Sequence, residues 1–305
     1  MSFISARGKH RTHNQSQHSV TSTAQKKETG RKASRNILLW ILLIILITTF
    51  VVSITVVLYR LINLKRNMSD LDHLIEVVEN YTQPNVNPSE SMAEATSSDE
   101  SFTDPSDDPM TPEKNELIQR YAPLAEMNPD FCGWLSIDGT SINYPIMHTP
   151  TDPEKYLHLN FNEDYSILGL PFLDGKCNLD SSQLILYGHN MRNGAMFGEL
   201  LNYTDEAFWK EHQFISFDTL YEERIYEVIA VFYDRVYYQH EDCYKFYEFI
   251  EGDEEDVLDA LLHYKSKSLY DTGFEVEGDG QLIALTTCSY HTDDGRFVVI
   301  GQRKE

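Results

Sequence analysis

The sequence predicts a mostly-β domain with a few helices, barrel-like or sandwich-like, carried outside a membrane on one transmembrane helix and a stalk. Three observations predict it. An uncharged apolar run, Ile37 to Tyr59, stands near the N-terminus. A stretch rich in Pro, Ser, Thr and acids follows over residues 83–112. Beyond it come short apolar runs separated by turn residues, with few helical patterns among them.

Composition sets the outer limits. The 305 residues are 41% hydrophobic and 24% charged, close to the globular norm, which excludes a collagen-like, fully disordered or polytopic membrane protein. Basic residues number 25 and acidic residues 48, for a formal charge of −23. The charge is unevenly divided. Residues 1–36 hold eight basic side chains and one acid, Glu28, which leaves 17 basic against 47 acidic for the rest. An acidic bulk domain repels phosphate backbones, so no nucleic-acid partner is expected.

The elements follow in order. Residues 1–36 have too few apolar side chains to fold alone and read as a disordered basic tail held beside anionic lipid. Residues 37–59 are 23 uncharged positions, roughly 34 Å as a helix, enough for a bilayer core. Trp40 and Tyr59 lie near its ends, where amphipathic rings prefer the interface. A signal-peptide h-region is shorter, and no small-x-small cleavage site follows, so the run reads as an uncleaved anchor. The basic excess places the N-terminus in the cytoplasm and residues 60–305 outside, crossing once. Within the next stretch, 60–112, Leu71, Leu74, Ile75 and Val78 stand at helical spacing, with Ser69 as a cap. Residues 83–112 then read as a disordered stalk.

The folded domain is expected over 113–305. It opens with a helix over 111–126, Thr111 capping and Pro112 at the first position. Phe131–Gly139 and Ser141–His148 form a strand pair turning at Asp138-Gly139. Strands follow at 171–173, 183–187, 213–218, 225–238, 281–287 and 296–302, with helices around 197–201 and over 253–265.

Four cysteines occur, Cys132, Cys177, Cys243 and Cys288, with no Cys-x-x-Cys pair, which argues against structural zinc. An even number outside the cell permits two disulfides, and the spacings suit single thiols equally well. Cys288 ends the apolar run Leu282 to Thr287, and eight residues later Arg296 opens the run Phe297 to Ile300. A hairpin between them makes Cys288 and Arg296 cross-strand neighbours. A cation there favours thiolate and can hold an oxyanion. His189 likewise follows an apolar strand, Leu184 to Tyr187, with Gly188 letting the backbone turn. A Cys and a His at strand ends suit thiol acyl transfer. His291 is nearer in sequence but belongs to the hairpin loop and should face solvent. The acidic run Glu251 to Asp256 lacks the alternating ligand pattern of a calcium loop. Its acids favour the N-terminus of the following helix instead. No metal or organic cofactor is expected.

Tyr187-Gly188-His189-Asn190-Met191, Thr286-Thr287-Cys288 and Gly295-Arg296 resemble the motifs of class B sortases. The resemblance covers roughly residues 115–305. It includes Gly133-Trp134-Leu135, Ile142-Asn143-Tyr144-Pro145, Met196-Phe197 and Lys267-Ser268-Leu269-Tyr270. The helix-bearing insertion between Tyr238 and Gln281 is similar to the long loop between strands 6 and 7 of that class. The resemblance implies an eight-stranded sortase β-barrel and a cysteine transpeptidase. Such an enzyme cleaves a C-terminal sorting signal after Thr and passes the acyl group to a peptidoglycan amine, through a thioester. It implies Cys288 as nucleophile, His189 as general acid/base and Arg296 as oxyanion and substrate-orienting residue. Thr286 and Asn143 fall where the signal would be contacted. Implied partners are surface proteins bearing an LPxTG-like, NPQTN-like or PxTG-like signal. A pilin-polymerising sortase and a cysteine endopeptidase on the same Cys-His-Arg site are the alternatives. The cysteine motif departs from the family in reading Thr-Thr-Cys after Ala284-Leu285. Asp104-Pro105 and Asp108-Pro109 lack the aromatic that follows the Pro of a pilus-type lid.

Overall fold

The computed structural model describes residues 16–82, 118–276 and 280–304. The chain divides into two compact units, one ending at Ile62 and the other beginning at Asn63. Helix α1, Ser16–Thr82, contributes to both. In the first unit the large apolar side chains from Ile37 to Ile62 are exposed. Among the described residues this is the one helix long and apolar enough to cross a membrane, which is compatible with an anchor.

The second unit is a closed eight-stranded barrel. Its strands are β1 (Phe131–Ser136), β2 (Asn143–Met147), β3 (Phe172–Leu173), β4 (Gln183–Gly188), β5 (Phe214–Thr219), β6 (Ile225–Arg235), β7 (Leu282–Cys288) and β8 (Gly295–Arg303). The order around the barrel is β1-β2-β3-β4-β7-β8-β6-β5, and β1 pairs with β5 to close it. Closure removes the open edges that a sheet would otherwise expose. Strands β4 and β7 run parallel, in register from Gln183↔Leu282 to Gly188↔Thr287. Their sequences, QLILYG and LIALTTC, are near-continuous apolar runs, as expected for parallel strands buried on both faces. Strand β8 returns antiparallel to β7, pairing Cys288 with Arg296.

Helices cover the flanks. Between β6 and β7 lies α4, Glu254–Lys267, which buries Val257, Ala260, Leu261 and Tyr264. Asp253 caps it, accepting from the backbone N–H groups of Glu255 and Asp256, so the acidic run does serve a helix N-terminus. At its other end Lys267 reaches Asp234 of β6 at 2.9 Å, and the Tyr237 hydroxyl donates to the same carboxylate at 2.6 Å. Gln183 at the start of β4 is fully buried and satisfied. Its amide donates to the carbonyls of Phe246 and Phe249 and accepts from the Tyr264 hydroxyl. That one side chain ties the β6–β7 insertion to the barrel.

Every expected strand is present, and the structure differs from expectation elsewhere. Residues 16–36, expected as disordered tail, are helical, because helix propagates outward from the apolar run at little cost per residue. The helix expected over 111–126 is broken. Its described part is a 3-10 turn, Gln119–Tyr121, followed by α2, Ala122–Met127, with Pro123 in its first turn. Pro123 lacks an N–H and cannot continue a helix from upstream, so a new one must start there. The expected cap, Thr111, and the stalk over 83–112 lie outside the described residues. The expected helix near 197–201 is a 3-10 segment, Phe197–Thr204. Leu71 and Leu74 of α1 are buried in the second unit, so the helical stretch before the stalk packs with the barrel and not apart from it.

The Asp234–Lys267 pair gives a stability test. Asp234 is only 4% exposed, and Lys267→Met should cost roughly 3 kcal/mol by removing the cation that its buried carboxylate is paired with. Adding Asp234→Asn should recover most of the loss in chemical denaturation. An unchanged midpoint in the single variant would contradict the role given to this pair.

Candidate active site at the rim of the barrel

Two parallel strands in register end at the same rim. Because Gly188 sits opposite Thr287, the next residues, His189 and Cys288, emerge side by side. The antiparallel return of β8 then sets Arg296 against Cys288. All three line one cleft of about 460 Å³, together with Thr286, Thr287, Tyr187 and Asp174. The wall also includes Pro153, Glu154, Leu157, Phe172 and Gly188 and, from the β6–β7 insertion, Val236, Phe246 and Tyr247. A mainly apolar cleft with a few convergent polar groups is the usual form of a ligand site.

The hairpin that holds Cys288 is tight. Ser289 donates its N–H to the Gly295 carbonyl at 2.9 Å, and Asp294 takes a positive φ of 53°. A side chain at Gly295 would collide with the Ser289 carbonyl and the His291 ring. His291 is exposed, with its ring 4.8 Å from that of Tyr233, and it does not line the cleft. His189 is the only histidine that does.

Each site residue is held by identifiable partners. The His189 Nε2–H donates to the Leu157 carbonyl at 2.8 Å, which leaves Nδ1 as the ring's acceptor. Asn190 donates its side-chain amide to the Cys288 carbonyl at 2.8 Å, and the Thr287 hydroxyl donates to the Gly188 carbonyl at 2.7 Å. These two bonds lock the ends of β4 and β7 together. Arg296 bonds only to the carbonyls of Asp294 and Gly295 and forms no ion pair among the described residues. Its register neighbour Asp234 is already committed to Lys267 and Tyr237, so the guanidinium charge is left for the cleft. The Tyr187 hydroxyl donates to Asp174 at 3.1 Å. Burial, then the Asp174 charge, push its pKa far up, so it stays a neutral donor.

Thr286 is 1% exposed, lines the cleft, and its hydroxyl has no hydrogen-bond partner among the described residues. A buried hydroxyl left unsatisfied costs about 1–3 kcal/mol, so a ligand that meets it gains accordingly. Asn143 is not brought to the cleft. It begins β2, and its side-chain Oδ1 accepts from the Trp134 indole N–H at 2.5 Å, fixing β1 to β2. Gly188 also differs from expectation. It lies within β4 and does not turn the chain; a side chain there would strike the Phe197 ring.

Sequence reasoning missed Leu157, Asn190 and Phe197 as supports of the site. Asn190 adjoins His189 in the quoted motif and Phe197 stands in the quoted Met196-Phe197, so both were visible as motif residues without their supporting role. Leu157 acts through its backbone carbonyl, which no side-chain pattern reveals.

All four cysteines are free thiols. Burial pushes Cys132 and Cys177 up to about 12, whereas Cys243 and Cys288 are exposed. Titration with a small thiol reagent near pH 8 should therefore find Cys243 and Cys288 reacting at once, with Cys132 and Cys177 waiting for denaturant. Rapid labelling of either buried cysteine, or none at Cys288, would contradict this division.

No protein-family model matches. Sortase B of Listeria monocytogenes is 32% identical over 194 residues, spanning 61% of this chain and 75% of the relative. Sortase B of Staphylococcus aureus is 28% identical over 197 residues, 63% of this chain and 78% of the relative. The crystal structure of Bacillus anthracis sortase B in complex with AAEK1 superposes with a TM-score of 0.59 at 26% identity, covering 80% of this chain and 99% of that one. The eight-stranded barrel matches these relatives, and the chain belongs to the sortase B family of transpeptidases.

Proposed function

We propose that the chain is a membrane-anchored cysteine transpeptidase. In this reading it cleaves a C-terminal sorting signal after threonine and transfers the protein to a peptidoglycan amine. One observation carries it. Among the described residues, the cleft's one cysteine, its one histidine and an arginine with no ion pair follow from the β4–β7–β8 register to a single rim, which supports this reading.

The chemistry follows from the partners. Nδ1 of His189 takes the Cys288 thiol proton, the thiolate attacks the threonyl carbonyl, and the bond to the leaving amine breaks as a thioester forms. Oxygen charge developing in the tetrahedral intermediate faces Arg296, whose guanidinium forms no ion pair among the described residues. With Nε2–H held by Leu157, His189 delivers its proton to the leaving amine from Nδ1. An incoming amine then attacks the thioester, losing its proton to the same nitrogen, and Cys288 departs as thiolate. The unsatisfied Thr286 hydroxyl contacts the bound signal. Residues 37–59 anchor the chain, with the basic N-terminal segment in the cytoplasm and the barrel outside.

Cys288→Ala should abolish turnover of a signal peptide. His189→Ala and Arg296→Ala should each lower kcat/KM by about 10²- to 10⁴-fold. Near-normal turnover by Cys288→Ala would remove the mechanism. A separate expectation concerns Thr286→Val. It should weaken signal binding by roughly tenfold while leaving thermal stability unchanged or slightly raised, because the lost hydroxyl had no partner in the free protein. A stability loss with unaltered KM would place the hydroxyl outside the binding site.

A further inference from the structure

We infer that the membrane-proximal end of α1 is a positioning element for His189, acting through the loop that carries Leu157. The path is short and continuous. Leu71 and Leu74 are buried at 6% and 4% exposure. They pack on Leu168, Gly169 and Leu170 of the segment between β2 and β3, around a void of only about 10 Å³. That is at the lower limit for a single water, so helix and loop are in close contact. Asn160 of the same loop donates to Asp70 of the helix at 3.3 Å.

Gly169 is the middle link. It adopts a φ of +58°, and its open side lies directly against the carbonyls of Tyr156 and Leu157; a Cβ there would come within 2.6 Å of both oxygens. Leu170 donates its N–H to Tyr156 at 2.9 Å, pinning the same backbone. The Leu157 carbonyl is the acceptor for His189 Nε2–H. Close-packed interiors transmit displacement, so the helix face that supports Gly169 also sets where that carbonyl points. A carbonyl that drifts releases the ring to the other tautomer, with the proton on Nδ1, where it cannot take a proton from the nucleophile. The helix therefore contributes to turnover without touching substrate.

This inference rests on His189 acting as proposed above, and the test separates the two. The full chain in detergent micelles is compared with Leu71→Asp/Leu74→Asp, which should undock the helix, and with Leu71→Met/Leu74→Met, which conserves volume. Gly169→Ala perturbs the middle link from within the loop. Hydrogen exchange over residues 63–82 reports docking, and imidazole ¹⁵N shifts report the His189 tautomer. With the helix freely exchanging, kcat should fall about tenfold to a hundredfold with KM little changed. The Nε2–H signature should give way to mixed tautomers, and the Met pair should retain wild-type values. An undocked helix with wild-type kcat and tautomer overturns the inference. If the Asp pair stays docked or unfolds the barrel, Gly169→Ala decides: loss of kcat and of the Nε2–H signature supports it, and wild-type values for both overturn it. If His189→Ala itself leaves turnover intact, the reading of the site fails first.

Discussion

The register of three adjacent strands is the constraint on which the site depends. Strand side chains alternate faces, so a one-residue slip of β4 against β7 would send each side chain to the opposite face, into space shaped for a different one. Leu184, Ile185 and Leu186 on one side, and Ile283, Ala284 and Leu285 on the other, are all fully buried. Close packing of these side chains against their neighbours fixes that pairing. His189 and Cys288 inherit their proximity from a core that neither belongs to. Chemistry at the rim can then vary without disturbing what positions it.

A second layer of control is polar and local. Asn190 holds the Cys288 carbonyl, Thr287 holds the Gly188 carbonyl, and Leu157 holds the His189 ring. Asp234 illustrates the opposite task. It lies beside Arg296 in the ladder, yet Lys267 and Tyr237 occupy it. An uncommitted carboxylate there would compete for the guanidinium. The β6–β7 insertion supplies both Lys267 and the cleft wall of Phe246 and Tyr247, so one segment shields the arginine's charge and shapes the binding surface.

Much of this was legible in the residues, for a physical reason. Apolar runs such as LIALTTC and LILYG must be buried strands, and a Cys, His or Arg just past a buried strand must stand at its mouth. What escaped were contacts without a side-chain signature. The Leu157 carbonyl reaches His189 from 32 positions away. Pro123 broke an expected helix that periodicity alone carried through. Asn143 looked like a substrate contact through resemblance, whereas its partner is the Trp134 indole on the neighbouring strand. The packing of Leu71 and Leu74 was visible as helical spacing, but spacing does not name the surface that receives it.

The central claim is that one thiol at the β7 end carries the acyl group. Intact mass of the chain from Asn63 onward, after exposure to a panel of sorting-signal peptides without added amine, tests it most directly. The account predicts a mass increase equal to the peptide portion ending in threonine, retained on a fragment containing Cys288 and missing in Cys288→Ala. An adduct that persists in Cys288→Ala, or a peptide cleaved with Cys288 never acylated, would contradict it.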